Sequence, residues 1–321
     1  MPLVSFGPPP LCLSVLPWLS RLLPSLPPPV RDVDVPPLFR QRFVLSGYRP
    51  PGLPLRCYVL SLLQIHNQTL NVWSHLLAAG ILGFRLQGPE GQGFSLDAAS
   101  LPLVLYVFSA VMYLSCSAAA HLFQSHSEQL HDWFFFLDSV AVGVFQHGSA
   151  LALSVYSHAG KRVVFLPGST LLAWSCCSAC CYAKLHFHWL NPLNRKFLLQ
   201  LVPTGTGFLL VIGPLVQRLT AQSWSPVALF LLSFFFFSCP VPERFAPGRY
   251  DIIGHAHQLS HILSALGTLI QQEALFHDFL WRRPALIRRF REQRLLVASF
   301  LFFSFVSLLS LFLTFCVFCV I

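Results

Sequence analysis

Stretches of about 20 mostly apolar residues recur along this chain, and the natural reading of a segment of that length is a helix that crosses a bilayer. They fall near 69–86, 100–123, 132–155, 163–183, 197–216, 224–241, 252–271 and 295–321. Only 10% of the 321 residues are charged, where a soluble domain would carry about a quarter. The expected fold class is therefore all-α, a polytopic transmembrane helix bundle with seven core spans and an eighth. The chain divides into an N-terminal cytosolic or interfacial segment (1–68), a seven-span core (69–271), and a basic loop with the C-terminal span (272–321). Leu11–Leu26 is apolar but broken by Pro17 and Pro24 and follows no basic run, so it is not read as a signal peptide. Arg31, Arg40, Arg42, Arg49 and Arg56 are expected to hold the opening segment out of the bilayer.

The net charge of +9 sits at the ends of the apolar stretches, which makes it a topology signal and gives no case for nucleic acid. With the N-terminus in the cytosol, the basic residues of the opening segment, Lys184, Arg195, Lys196, Arg244 and Arg249 outnumber Arg85, Lys161, Arg162 and Arg218 on the far side. A basic loop from Arg282 to Arg294 weighs against that count if the eighth stretch spans. Ten cysteines lie mostly in apolar stretches. Cys177-Ser178-Ala179-Cys180 has the spacing of a redox or zinc pair, but small residues also serve helix packing in membranes. Asn67-Gln68-Thr69 matches a glycosylation acceptor, expected to stay unmodified on the inner face.

The chemistry concentrates where apolar helices should carry none. His257 and His261 stand four apart, on one helix face, and ionisable groups inside a bilayer mark functional interiors. Because spans alternate direction, Asn71, Trp73, Ser74 and His75, then Ser117 and His121, then Asp138, Pro242-Glu243-Arg244, and His257 with His261 all fall toward one membrane face. Three imidazoles from two helices with an open fourth position make a pattern for catalytic or exchangeable zinc. The candidate ligands are His121, His257 and His261. Asp138 would orient or deprotonate a water there, and Ser117 stands one turn before His121; both are catalytic candidates only if the protein is a hydrolase. A serine in a span can instead bond back to its own helix. His255 and His126 read as interfacial.

Asn71-Val72-Trp73-Ser74-His75, Ser117-x-x-x-His121, Phe136-Leu137-Asp138, Pro242-Glu243-Arg244 and His257-Gln258-Leu259-Ser260-His261 together resemble the progestin and adipoQ receptor family, over about residues 36 to 272. Pro36-Pro37-Leu38-Phe39, Ser46-Gly47-Tyr48-Arg49-Pro50 and the 134–150 stretch are most similar to its membrane progestin receptors of the alpha or beta type. The resemblance implies a cytosolic N-terminus, a zinc ion near the inner face held by the three histidines, steroid binding at the plasma membrane, and signalling through G proteins. Its adiponectin-receptor branch implies ceramide amide hydrolysis at that zinc. Expected partners are a steroid or other small lipid, membrane lipids and a G protein; self-association stays open. Ser260 departs from the bulkier apolar residue usual between the histidines, the 5–6 region is short, and no polar tail follows the last stretch.

Overall fold

The computed structural model describes residues 26–86, 99–156 and 225–289, with Gly168, Leu171, Leu301, Ser304 and Phe305 as isolated positions. The expected spans at 163–183, 197–216 and 295–321 and the Cys176–Cys181 run lie outside the described residues. Within them the fold is helical: α1 (Leu55–Leu60), α2 (Thr69–Leu86), α3 (Leu101–Phe123), α4 (Glu128–Tyr156), α5 (Ser225–Ser238) and α6 (Ala256–Arg289). The only β pairing among the described residues is an isolated bridge between Val30 and Tyr48. α3 and α4 pass the length and composition test for crossing a membrane.

Apolar side chains such as Phe84, Phe108 and Leu77 are exposed on the outside, while Asn71, His75, Ser117 and His121 are buried. That reverses the soluble pattern and suits a lipid surround. α3 packs against α2 and α4, and α6 packs against α2 and α5. Where α5 meets α6, the Ser233 hydroxyl donates to the Ser260 carbonyl at 2.9 Å, and the Gly267 backbone approaches the Phe230 ring. Ser260 thus fills a position where only a small residue lets the helices close up.

Two element boundaries differ from the hydropathy reading. α4 starts at Glu128 and not at 132, because Ser127 Oγ caps it by accepting from Leu130 N at 3.3 Å, with an acidic residue in the first turn. α6 does not stop near 271 but runs to Arg289, adding about 27 Å at 1.5 Å per residue. Its second half keeps an apolar stripe of Leu275, Phe279 and Leu286, all buried, at helical spacing. Among the charges that lower its hydropathy, Glu273 is exposed and Arg283 lies over the Phe279 ring.

Residues 30–68 form a cap with a small core of Val35, Phe39, Val44 and Tyr48. Burial pushes the Tyr48 hydroxyl up to about 12, and it donates to the Val44 carbonyl at 2.9 Å. Asp251 accepts from Leu45 N at 3.0 Å and Ser46 Oγ at 2.6 Å, tying the cap to the turn before α6. Gly47 (φ 84°) lies against Ile252 and Asn67, a conformation and a space that admit no side chain.

Candidate metal centre

α6 begins under tight control. The Glu243 carboxylate accepts from Ala256 N at 2.8 Å, placing negative charge at the positive end of the helix. Gln258 Oε1 accepts from Gly254 N at 2.7 Å, and its Nε2 donates to the carbonyls of Asn67 and Ile252 at 3.0 and 2.8 Å. These contacts fix the first turn, and so the direction in which His257 and His261 project. Pro242-Glu243-Arg244 contributes a helix cap, not a ligand.

The last turn of α3 is held from outside. Arg49 is buried, 2% exposed, and donates to the carbonyls of His121 at 2.6 Å and Leu122 at 2.7 Å and to Ser61 Oγ at 2.9 Å. A cation at a helix C-terminus complements unpaired carbonyls and the dipole. Burial lowers its guanidinium to about 10, still charged at neutral pH. Of the arginines expected to hold the opening segment out of the bilayer, this one is buried against the end of α3.

Between those two anchored turns lie the three histidines. One ligating atom from each of His121, His257 and His261 falls in a set whose members lie within 4.8 Å of one another. His121 Nε2 and His257 Nε2 are 3.3 Å apart, and tetrahedral bonds of about 2.0–2.1 Å set neighbouring nitrogens about 3.3–3.4 Å apart. His121 Nδ1 lies 2.8 Å from Gln68 Oε1, which also accepts from Asn71 Nδ2 at 2.7 Å. An amide oxygen can only accept, so Nδ1 carries the proton and Nε2 offers its lone pair inward, the outer-shell arrangement of metal-ligating imidazoles. His121 and His261 are buried and His257 is partly exposed. The cluster can hold a metal ion, with a fourth position left for a ligand.

The remaining candidates fall around it. Ser117 is buried one turn from His121 on the same face. Asp138 stands one turn along α4 from Phe135, whose ring meets His121 edge-on at 5.5 Å, and it is within electrostatic reach of Tyr113 and Cys116. It is not one of the three mutually close ligands. His255 stays outside the three-histidine set; it is 1% exposed, with Nε2 3.1 Å from the Asn67 carbonyl. His126 contributes its carbonyl to Gly52 N at 3.0 Å, away from the cluster. Asn67 is itself buried, 2% exposed, which closes the acceptor sequence to a glycan. Sequence reasoning missed Gln68 and Arg49, and it set His75 on the same face as the cluster without its ring contact, a stack on His261 at 4.1 Å. The polar pair Asn71 and His75, four apart on an apolar helix, was the signal for the last of these.

The haemolysin-III-related family profile matches residues 63–272, a span that contains all three histidines, Ser117 and Asp138. The chain is 39% identical over 300 residues to membrane progestin receptor beta of Homo sapiens, covering 88% of this chain and 84% of that protein. It is 41% identical over 289 residues to membrane progestin receptor alpha-B of Danio rerio, covering 83% and 80%. With membrane progestin receptor alpha of Homo sapiens it shares 42% over 299 residues, covering 83% and 86%. The chain therefore belongs to the haemolysin-III-related family of integral membrane proteins, within the group of progestin and adipoQ receptors.

Proposed function

We propose that this protein is a plasma-membrane receptor for a progestin or a similar small steroid, with a zinc ion held by His121, His257 and His261 near the cytosolic face. The observation that carries the reading is the identity of about 40% across more than four fifths of the chain to membrane progestin receptors alpha and beta. A neutral steroid partitions into the bilayer and enters an apolar space between helices, where a few polar groups fix its orientation. The excess of basic residues on the N-terminal side before the final loop supports a cytosolic N-terminus for a bundle of seven core spans with an eighth, and the signal passes to a G protein. Zinc suits an all-imidazole site; bound, it supplies a Lewis acid that can polarise a carbonyl. Gln68 orients His121, Glu243 and Gln258 orient the α6 histidines, and the 30–68 cap covers this end of the bundle.

A second reading has its own observation. Three histidines with a fourth position open, beside Ser117 and Asp138, are also the parts of an amide hydrolase acting on lipids such as ceramide. Asp138 would then take the proton from the attacking water. Saturation binding of a progestin and turnover of ceramide, measured on membranes with wild-type or Asp138→Asn protein at matched expression, separate the two. The receptor reading expects progestin binding changed by less than about 1 kcal/mol and no ceramide turnover. Turnover in the wild type that vanishes in the variant, together with lost signalling, contradicts it.

A further inference from the structure

The cap carries a short helix whose polarity is inside out. α1 (Leu55–Leu60) continues into a 3-10 turn, Ser61–Leu63. The face turned to the bundle is polar. Ser61 Oγ accepts from the Arg49 guanidinium at 2.9 Å, and the Tyr58 hydroxyl donates to the Pro50 carbonyl at 2.8 Å, with the Ser125 carbonyl at 3.1 Å. The face turned away is apolar. Leu55, Val59 and Leu63, four apart, are exposed, and so is Ile65. A single exposed apolar side chain is ordinary, but a contiguous set of them backed by buried hydrogen bonds marks a surface that meets something other than water.

What lies against that face follows from α2. Leu77, Ile81 and Phe84 are exposed and recur at helical spacing, the stripe that an integral membrane bundle turns to lipid. Trp73 heads the same stripe, one turn before Leu77, and is half-buried. Its indole N–H donates to the Leu62 carbonyl at 2.9 Å. A tryptophan so placed belongs to the boundary of bilayer and water, with its ring in the apolar region and its N–H on a polar group. The bond therefore ties 55–65 to that level, and the apolar face of α1 continues the lipid-facing stripe of α2. Charge agrees with this. Arg56 is exposed beside Leu55 and makes no ion pair among the described residues. No Asp or Glu occurs anywhere from 35 to 89. An apolar face with a cation at its edge and no acid near it suits an anionic phospholipid surface.

We propose that residues 55–65 are an in-plane membrane anchor whose exposed face is covered by phospholipid. Leu55, Val59, Leu63 and Ile65 enter the acyl boundary of the leaflet at the histidine end of the bundle, and Arg56 meets the phosphates. The anchor is joined to the metal centre through its other face: Ser61 holds Arg49, and Arg49 holds the carbonyls of His121 and Leu122 at 2.6 and 2.7 Å. Lipid on one side of α1 steadies the cap on the other. The inference rests on the chain being an integral membrane protein and is independent of which ligand the bundle takes.

The test uses full-length protein in nanodiscs of phosphatidylcholine and phosphatidylserine, with the photocrosslinker p-benzoylphenylalanine placed at one position at a time. Val59→p-benzoylphenylalanine should form phospholipid adducts on irradiation, as Phe84→p-benzoylphenylalanine does on the α2 stripe. Adducts from position 59 to residues 1–25 or to a second copy of the chain, or no adduct where position 84 gives one, overturn the anchor. Charge variants read the same contact without a probe. Leu63→Glu should be repelled by the anionic surface and speed hydrogen exchange several-fold at the amides of Leu45 and Tyr48, which bond to Asp251 and to the Val30 carbonyl. Leu63→Lys, whose stem lies along the apolar boundary while its amine reaches the headgroups, should change exchange far less. A segment standing in water would not tell the two charges apart. Equal effects of Leu63→Glu and Leu63→Lys, small or large, overturn the inference.

Discussion

The two halves of α6 are held by different means. In the first half the turns that carry the histidines are held by hydrogen bonds: Glu243 on Ala256 N, Gln258 on Gly254 N and on the Asn67 carbonyl, Ser233 on Ser260, Ser264 on the His261 carbonyl. In the second half the buried contacts are mainly apolar packing, with the Arg283 guanidinium over the Phe279 ring. Leu275, Phe279 and Leu286 are buried, and Phe279 meets Tyr156 at 6.0 Å. An ion pair there, Arg85 with Glu273, is 3.7 Å long and solvent-accessible. Directional bonds fix where a side chain points; packing fixes only that space is filled. The half that aims histidines uses the first, and the half that closes the bundle uses the second.

Substitutions should therefore separate stability from metal binding, according to which end they touch. The largest effect is expected from Arg49→Met at the polar end. It strands the carbonyls of His121 and Leu122 and Ser61 Oγ, and should cost about 3–4 kcal/mol, read as a lowered midpoint of thermal denaturation in detergent, with faster metal loss. Leu275→Ala comes next, at about 3 kcal/mol from the lost packing and the cavity left behind, but with metal content unchanged. Glu243→Gln inverts that outcome. Removing the charge from the α6 N-terminus should cost only about 1 kcal/mol, yet accelerate metal release into a chelator several-fold, because the turn that carries His257 loosens. Arg85→Ala should be smallest, at most about 0.5 kcal/mol for an exposed pair, and silent in the metal assay. If Leu275→Ala releases metal as readily as Glu243→Gln does, the two halves are not independent.

The same contrast explains what could be read from the sequence. His121, His257 and His261 were legible because an imidazole in an apolar stretch is conspicuous and a spacing of four has one geometric meaning. The start of α2 at Thr69 and the end of α3 at Phe123 were legible for a similar reason, since hydropathy changes sharply there. The supports were not. Arg49 looks like any other arginine of a basic segment until the fold brings it to carbonyls more than 70 residues away. Gln68 looks like the middle of an acceptor sequence, and its 2.8 Å contact with His121 exists only once α2 and α3 pack. The length of α6 was obscured because charged residues dilute the hydropathy of 272–289, while the spacing of Leu275, Phe279 and Leu286 already carried the helical period. Long-range partners leave no mark on local sequence; periodicity does.

The proposed metal site consists of three imidazoles oriented by Gln68, Glu243 and Gln258. Elemental analysis of the purified full-length protein beside His257→Ala tests it most directly, with thermal denaturation showing that the variant remains folded. One zinc per chain is expected in the wild type. In the folded variant the zinc should fall to a small fraction, since a site reduced to two histidines holds zinc weakly. A folded His257→Ala protein that keeps a full equivalent of zinc, or a wild type that binds none when zinc is supplied, contradicts the account.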